Sequence, residues 1–299
     1  MENVILVFVA GLITAIATGL GALPFFFIDD VSDRWNVGLW GIASGIMVTV
    51  SVFGLVDEGL ASASGGFPSM LVGGLLAGVV LVEVGDRLLD RVDIGEDADD
   101  DRDEPTVIDD TEAVQTDGGS HSHDDHALEA KAVAEGNPKT LLLILGILTI
   151  HSFPEGVAVG VSFAELGMDG GLSLLGFSIP ILAVFMTIAI SIHNIPEGTA
   201  IAIPMRAMGL SSWRMVGAAI FSSLPQPIGA VIAYAFVSWA QSFLPFGFGF
   251  AAGAMVYLVA TEFIPEALET GSDLPNHGYR ELVAGFGVGA LAMLPLVTL

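Results

Sequence analysis

A six-residue pattern that combines histidine, proline, glutamate and glycine occurs twice in this sequence. It reads His-Ser-Phe-Pro-Glu-Gly at residues 151–156 and His-Asn-Ile-Pro-Glu-Gly at residues 193–198, each inside an apolar run. An ionisable side chain that faces lipid at the centre of a membrane costs about 2.5–3.5 kcal/mol on insertion scales, so such residues are functional candidates. One copy alone could be a buried hydrogen-bonded pair that joins two helices, but its repetition favours a chemical role.

The spacing within the pattern predicts a metal site. Residues four apart lie on one face of a helix, about one turn from each other. His151 and Glu155 therefore point the same way, as do His193 and Glu197. The proline in each copy kinks the helix, and the glycine lets a neighbouring helix approach closely. Two such helices would present two imidazoles and two carboxylates, a ligand set that suits Zn²⁺, Fe²⁺ or Mn²⁺.

The composition is that of a polytopic membrane protein. The chain has 299 residues, of which 53% are hydrophobic, and its mean hydropathy is +0.73. Cysteine is absent, which excludes disulfides and thiolate metal ligands. Acidic residues outnumber basic ones by 34 to 9, so no nucleic-acid partner is expected. This excess of acid is typical of proteins from concentrated salt and predicts a halophilic microbial source.

Eight membrane-spanning helices are predicted, because most apolar runs reach the length of about 20 residues that crosses a bilayer. Their predicted bounds are Val4–Ile28, Val37–Val56, Pro68–Leu88, Lys139–Phe163, Leu174–Ile203, Trp213–Trp239, Phe246–Pro265 and Leu282–Leu299. With eight helices, all nine basic residues fall on one side of the membrane. The positive-inside rule makes that side cytoplasmic. This predicts a multi-pass protein of the plasma membrane with both termini outside the cell.

The predicted chain divides into four parts. These are membrane helices 1–3 at residues 1–89, a polar loop at 90–138, membrane helices 4 and 5 at 139–205, and membrane helices 6–8 at 206–299. The loop is dense in Asp and Glu, so it is predicted to be disordered and cytoplasmic. It also contains His121, His123 and His126. A solvated linker and a loose metal-capturing segment are both compatible with this composition.

An internal repeat links the second and seventh predicted helices. Residues 41–48, Gly-Ile-Ala-Ser-Gly-Ile-Met-Val, align with residues 249–256, Gly-Phe-Ala-Ala-Gly-Ala-Met-Val, and the match extends to Glu58 against Glu266. These helices cross the membrane in opposite senses. Helices 1–3 and 6–8 would then be inverted repeats around helices 4 and 5, a common transporter plan. Close packing of small residues alone could also produce the match.

Acidic residues near the ends of the predicted helices could concentrate cations on both sides of the membrane. Asp57 and Glu58 end helix 2 on the outer side, whereas Glu83, Asp86 and Glu262 lie toward the inner ends of helices 3 and 7. We predict that the first two receive the ion and that the other three lie where it leaves. Each carboxylate could equally be an interfacial group that reaches water.

The sequence resembles the ZIP (Zrt/Irt-like) family of divalent metal transporters over essentially its whole length. The resemblance rests on the paired motifs, the eight predicted helices and the His-containing loop. The resemblance implies an all-α membrane protein with a 3+2+3 helix arrangement and an elevator-like shift of one helix bundle against the other. It also implies a mid-membrane metal site formed by His151, Glu155, His193 and Glu197, with Met47 beside it. A thioether there would favour Zn²⁺ or Cd²⁺.

Two positions depart from the family pattern. The family commonly has Asn after the first His, where this chain has Ser152, and Glu before a Pro in helix 6, where this chain has Gln226. With Asn194, these residues correspond to the second metal site of binuclear members. All three are neutral, and two nearby dications repel strongly unless carboxylates offset their charge. We therefore predict one well-occupied metal site and a second site that is weak or empty.

The leading functional hypothesis is uptake of Zn²⁺ into the cytoplasm, with Fe²⁺, Mn²⁺ or Cd²⁺ as other candidate cargo. The direction of transport follows from the resemblance alone. The chain lacks the His-Glu-x-x-His motif of zinc hydrolases, so it is not expected to be an enzyme. A membrane-embedded sensor that binds metal without transporting it is the alternative. A homodimer is compatible with the sequence, although no interface pattern identifies one.

Overall fold

The computed structural model describes residues 2–63, 67–89, 151–167, 171–174 and 176–297, which are mostly helical. The longer helices are α1 Glu2–Leu20, α2 Asp33–Ala61, α3 Ser69–Leu89, α4 at 151–162, α5 Ile181–Ala207, α6 Ser212–Trp239, α7 Gln241–Thr270 and α8 Tyr279–Ala292. An antiparallel hairpin of β1 Leu172–Leu174 and β2 Phe177–Ile179 precedes α5. Short helical turns lie at Leu23–Phe26, Pro275–Gly278 and Leu294–Val297.

Within the described ranges, six helices are long and apolar enough to cross a membrane, namely α1, α2, α3, α5, α6 and α7. The outward face of α3 shows the expected pattern, since Leu76, Val80 and Val84 recur every four residues and are all exposed. These helices indicate a multi-pass membrane protein. The predicted fourth helix is described only from His151 onward, and α8 has 14 residues, so neither adds to the six.

The helices pack in two groups. The first group consists of α1, α4, α5 and α6, because α1 lies along α5 and α6, and α4 lies along α6. The second group consists of α2, α3, α7 and α8, because α2 lies along α8 and α3 lies along α7. The two groups meet where α2 passes α5.

Each copy of the repeated motif packs its glycine against another helix of the first group. A Cβ atom on Gly156 would lie 2.2 Å from the Gln226 carbonyl oxygen on α6. A Cβ atom on Gly198 would lie 1.8 Å from the Thr18 carbonyl oxygen on α1. No side chain fits at these distances, so the predicted role of both glycines in close helix packing is confirmed. The contacts hold α4 against α6 and α5 against α1.

The helices α2 and α7 share two features at the positions that the internal repeat aligns. Each contains a π-helical turn, Val50–Val56 in α2 and Val259–Phe263 in α7. Such turns are rare and often occur at functional sites. Each helix also packs two glycines, four residues apart, against carbonyl oxygens of a neighbour. The pairs are Gly41 and Gly45 against α8, and Gly249 and Gly253 against α3. The two helices are therefore alike in both backbone geometry and packing.

The start of α5 differs from the sequence prediction. A helix is predicted from Leu174, but Leu174 ends β1, Phe177–Ile179 form β2, and α5 begins at Ile181. Gly176 has a positive φ of 84°, and Pro180 precedes the helix with a ψ of 138°. Both residues interrupt an apolar run that hydropathy alone treats as continuous. The expectation of purely helical structure is corrected by this hairpin.

Candidate metal sites

Three of the predicted metal ligands meet inside the first helix group. Glu155 on α4 and His193 and Glu197 on α5 each offer one ligand atom, and these atoms lie within 4.8 Å of one another. The His193 Nε2 atom lies 3.2 Å from the Glu155 Oε1 atom. All three residues are buried, with exposed fractions of 3% for Glu155, 0% for His193 and 9% for Glu197. We call these three residues the buried cluster.

A chain of amide hydrogen bonds orients Glu155 through Oε2, the carboxylate oxygen that does not face His193. The Gln226 side-chain N–H donates to Glu155 Oε2. Gln226 accepts in turn from the Asn194 Nδ2 atom at 3.1 Å, and the same Asn194 amide donates to the Thr14 carbonyl oxygen at 2.8 Å. Because hydrogen bonds to a ligand side chain orient it, the two Glu155 oxygens face different partners and Oε1 is left toward His193.

The residues predicted for a second metal site already bond to protein groups. Gln226 reaches Glu155 because α6 is interrupted after Ser222 and resumes at Pro225. Ser152 donates through its Oγ atom to the Ser222 carbonyl oxygen at 3.2 Å. With the Asn194 and Gln226 amides, this hydroxyl forms a neutral polar group beside the buried cluster. A second dication would have to displace these hydrogen bonds in order to bind there.

The second helix group meets the buried cluster with apolar side chains and thioethers. A narrow gap next to His193 is lined by Met47 on α2 and Met255 on α7, together with aliphatic side chains of α2 and α5. Both methionines are buried, and they occupy matching positions of the predicted internal repeat. The predicted neighbour of the metal site, Met47, therefore lies beside His193 in company with its repeat partner.

The fourth predicted ligand, His151, lies in a different set of side chains. Its Nε2 atom is 3.0 Å from a Glu262 carboxylate oxygen on α7 and 3.7 Å from an Asp86 carboxylate oxygen on α3. The ligand atoms of these three residues also lie within 4.8 Å of one another, and their side chains are between 14% and 25% exposed. We call them the inner cluster. Because His151 is one turn from Glu155, α4 carries one ligand of each cluster.

The other predicted acidic residues lie apart from both clusters. Glu83 accepts a hydrogen bond from the Tyr257 hydroxyl and forms an ion pair with Arg87. Toward the opposite end of the helices, Glu58 and Glu165 line a cavity of about 200 Å³. Asp57 is exposed. The predicted metal-capturing residues of the polar loop lie outside the described residues. They are His121, His123 and His126.

Glu165 is a residue that the sequence analysis missed. It stands just beyond the end of α4 and lines the same cavity as Glu58. The signal that singled out Glu58, an acidic residue at the end of an apolar helix, applies equally to Glu165. Gly171 and Pro180, which flank the hairpin, also line this cavity, and their position could not be predicted from hydropathy.

The charge of the buried cluster favours a divalent cation. Two buried carboxylates repel each other, and one imidazole can offset only one of them. A divalent ion would balance the charge, and Zn²⁺ takes nitrogen and carboxylate ligands in tetrahedral geometry. If these three residues were the ligands, a tetrahedral ion would keep one coordination position for water or another side chain.

A sequence profile described as ZIP zinc transporter matches residues 3–294. The chain belongs to the ZIP zinc transporter family. Because proteins of this family are transporters, the prediction that the chain is not an enzyme is confirmed, as is the family resemblance of the paired motifs.

Individual members of the ZIP family align over most of the chain. Zinc transporter GufA of Myxococcus xanthus is 30% identical over 295 residues, which are 96% of this chain and 96% of GufA. Zinc transporter ZIPB of Bordetella bronchiseptica is 30% identical over 272 residues, which are 91% of this chain and 75% of ZIPB. A candidate zinc transporter of Arabidopsis thaliana is 34% identical over 259 residues, or 86% of this chain. The aligned part is 34% of that longer plant protein.

Proposed function

We propose that this ZIP-family chain carries divalent metal ions across the membrane, with Zn²⁺ as its principal cargo. The observation that supports the proposal is the buried cluster, in which two carboxylates and an imidazole meet among membrane-spanning helices. The relatives from Myxococcus and Bordetella are named zinc transporters, which favours zinc. Fe²⁺, Mn²⁺ and Cd²⁺ accept similar ligands, so competition among the four ions would measure the preference.

We propose a route that joins the acidic residues. The ion enters at the cavity lined by Glu58 and Glu165, binds at the buried cluster, and leaves past the inner cluster. On this route Glu155 and His151 act in succession, one helical turn apart on α4. Glu83, which is engaged by Tyr257 and Arg87, would influence the exit through charge rather than through direct contact.

We propose that the fold has eight membrane helices in a 3+2+3 arrangement of inverted repeats. The matching π-helical turns and glycine pairs of α2 and α7 support this arrangement. The buried cluster belongs entirely to the first helix group, and the second group meets it with apolar side chains such as Met47. This division suits an elevator mechanism, in which the first group slides with its ion along the second.

We propose that the inner cluster faces the cytoplasm, that both termini lie outside the cell and that transport is inward. Trp35 and Trp213 are strongly exposed and adjoin Arg34 and Arg214 in the sequence. Tryptophan marks a membrane interface, and an excess of Arg marks its cytoplasmic side. Arg34 and Arg214 lie in the first turns of α2 and α6, and Arg87 lies in the last turn of α3 beside Asp86 of the inner cluster.

We propose that the chain holds a single ion at the middle of the membrane, because Ser152, Asn194 and Gln226 are neutral and each already forms a hydrogen bond within the protein. An anomalous difference map at the zinc edge should show a peak at the buried cluster and none between Ser152, Asn194 and Gln226. Two peaks at full occupancy would contradict this proposal.

The decisive test is Zn²⁺ flux into proteoliposomes, measured in high salt for the native protein and Glu197→Gln. Glutamine keeps the size and polarity of the side chain but removes its charge, so flux should fall at least about tenfold. The matched control is Asp273→Asn, which neutralises an exposed carboxylate between α7 and α8 and should transport like the native protein. Unchanged flux in Glu197→Gln would place the pathway elsewhere.

The same experiment separates transport from sensing. Zinc that binds tightly to the native protein but never crosses the membrane would favour the sensor. Deleting residues 95–135 gives a second criterion, because a transporter should keep its flux whereas a sensor should lose its output.

The proposed halophilic source requires thermal stability that rises with molar salt, and stability independent of salt would contradict it.

A further inference from the structure

An aromatic ring of the second helix group rests on the imidazole of the buried cluster. The Phe263 and His193 ring centroids are 5.3 Å apart, and the ring planes differ by 21°, which is a stacked arrangement. Phe263 is on α7 and is buried. The contact therefore crosses the boundary between the two helix groups and touches a proposed metal ligand directly.

Trp40 on α2 supports Phe263 within the second group. The ring centroids of Trp40 and Phe263 are 5.0 Å apart, with an angle of 44° between the planes. The indole is 2% exposed, so it is a fixed part of the core. Phe263 thus contacts a rigid neighbour of its own group as well as the imidazole.

The π-helical turn of α7 places Phe263 next to a second functional contact. Phe263 ends the turn Val259–Phe263, and the residue before it, Glu262, contributes to the inner cluster at 3.0 Å from His151. Two consecutive residues of one turn therefore reach the two clusters separately. The widened turn of α7 thus contacts both clusters.

We infer that Phe263 is a positioning residue for metal binding at the buried cluster, an assignment that rests on the proposed function. Its ring restricts rotation of the His193 imidazole and keeps the Nε2 atom directed at Glu155, 3.2 Å away. Without the ring, the imidazole gains rotational freedom that metal binding must remove, and affinity falls. The metal contacts His193, and Phe263 acts only through that residue.

The test compares Zn²⁺ flux in three variants. Phe263→Leu removes the ring but keeps an apolar side chain, and the KM for Zn²⁺ should rise about fivefold, within the range expected for one aromatic contact, while Vmax changes by less than about twofold. Phe263→Tyr keeps the ring and should keep the native KM. The matched control is Phe25→Leu, which changes a buried phenylalanine of a separate hydrophobic cluster and should also keep the native KM.

Absorption of bound Co²⁺ in detergent gives a readout that does not depend on transport. Phe263→Leu should weaken Co²⁺ binding about fivefold and shift its visible bands, whereas Phe25→Leu should do neither. Equal changes in KM and in Co²⁺ binding for Phe263→Leu and Phe25→Leu would overturn the inference, because both residues would then act through core packing alone. If Phe263→Leu does not fold, Phe263→Met replaces it as the ring-free variant.

Failure of the inference and failure of the proposed function give different results. A native protein that transports zinc, with a Phe263→Leu variant that matches it in KM and Co²⁺ binding, overturns the positioning role alone. A native protein without zinc flux overturns the proposed function. In that case a weakened Co²⁺ complex in Phe263→Leu would still support the positioning role at the buried cluster.

Discussion

The buried cluster and the inner cluster contain the same kinds of side chain but belong to different parts of the molecule. Each consists of one histidine and two carboxylates. The buried cluster takes all its members from the first helix group, whereas the inner cluster takes His151 from the first group and Asp86 and Glu262 from the second. In the proposed elevator mechanism, the buried cluster would therefore move as a unit. The inner cluster depends on the relative position of the two groups.

The two clusters also differ in how deeply their side chains are buried. The side chains of His193 and Glu155 are almost completely inaccessible, whereas those of the inner cluster keep between 14% and 25% of their surface exposed. Charge interactions are several times stronger in a desolvated site than in contact with water. On the proposed route, the buried cluster would therefore bind the ion selectively, and the inner cluster would exchange it with solvent.

The largest effect is expected for His193→Ala, which removes the nitrogen ligand of the buried cluster. The change leaves two carboxylates without their imidazole, so both zinc affinity and flux should fall at least tenfold, by about 1.4 kcal/mol or more of binding free energy. Calorimetric titration of the purified protein measures the affinity, and proteoliposome flux measures transport. Native affinity in this variant would mean that the ion binds outside the buried cluster.

An intermediate effect is expected for His151→Ala, the same substitution in the other copy of the motif. We expect zinc affinity to stay within about threefold of the native value, because the ligands of the buried cluster remain, while flux falls about threefold because a partly exposed charged contact on the release path is lost. Calorimetry and flux measurements on this variant and His193→Ala form a matched pair. Equal losses of affinity in the two variants would assign His151 to the buried cluster and remove the distinction between the clusters.

The smallest effect on binding is expected from the packing of α3 against α7. A Cβ atom on Gly74 would lie 2.1 Å from the Phe246 carbonyl oxygen, whereas on the adjacent Gly73 its nearest neighbour would be 4.0 Å away. Gly74→Ala should therefore push the two helices apart and destabilise the fold by about 1–3 kcal/mol. Because Asp86 and Glu262 lie on these helices, the inner cluster should loosen while zinc affinity at the buried cluster stays native.

Thermal unfolding in detergent measures this difference, with Gly73→Ala as the control. An alanine at position 73 would make only an ordinary van der Waals contact with the Phe246 ring, 4.0 Å away, and should leave stability unchanged or raise it slightly, since alanine favours the helix over glycine. Similar melting temperatures for the two variants would show that the α3–α7 contact is not as close as described.

The sequence was sufficient to predict the buried cluster because its determinants are local. Glu155, His193 and Glu197 follow from a motif of fixed spacing in two apolar helices, and the glycine of each motif predicts the close helix contact. Family membership followed from the same residues. The assignment of His151 could not be predicted in this way, because it depends on how α3 and α7 approach α4.

Other features of the site carry no local signal. Phe263 is one of 18 phenylalanines, and only the fold shows that its ring stacks on His193. The hydrogen bond from Gln226 to Glu155 needs the interruption of α6 before Pro225, which hydropathy treats as one continuous helix. Long-range contacts of this kind are set by tertiary packing, which periodicity does not encode.

The paired π-helical turns also bear on the history of the chain. The hydrogen bonds of a π-helical turn span five residues instead of four, so such a turn can accommodate one inserted residue. The extra residue lies at corresponding positions of α2 and α7, beyond Met47 in one helix and Met255 in the other. In an ancestral duplication the insertion would have come first and the copying second. Two independent insertions would otherwise have had to arise at the same place in each half.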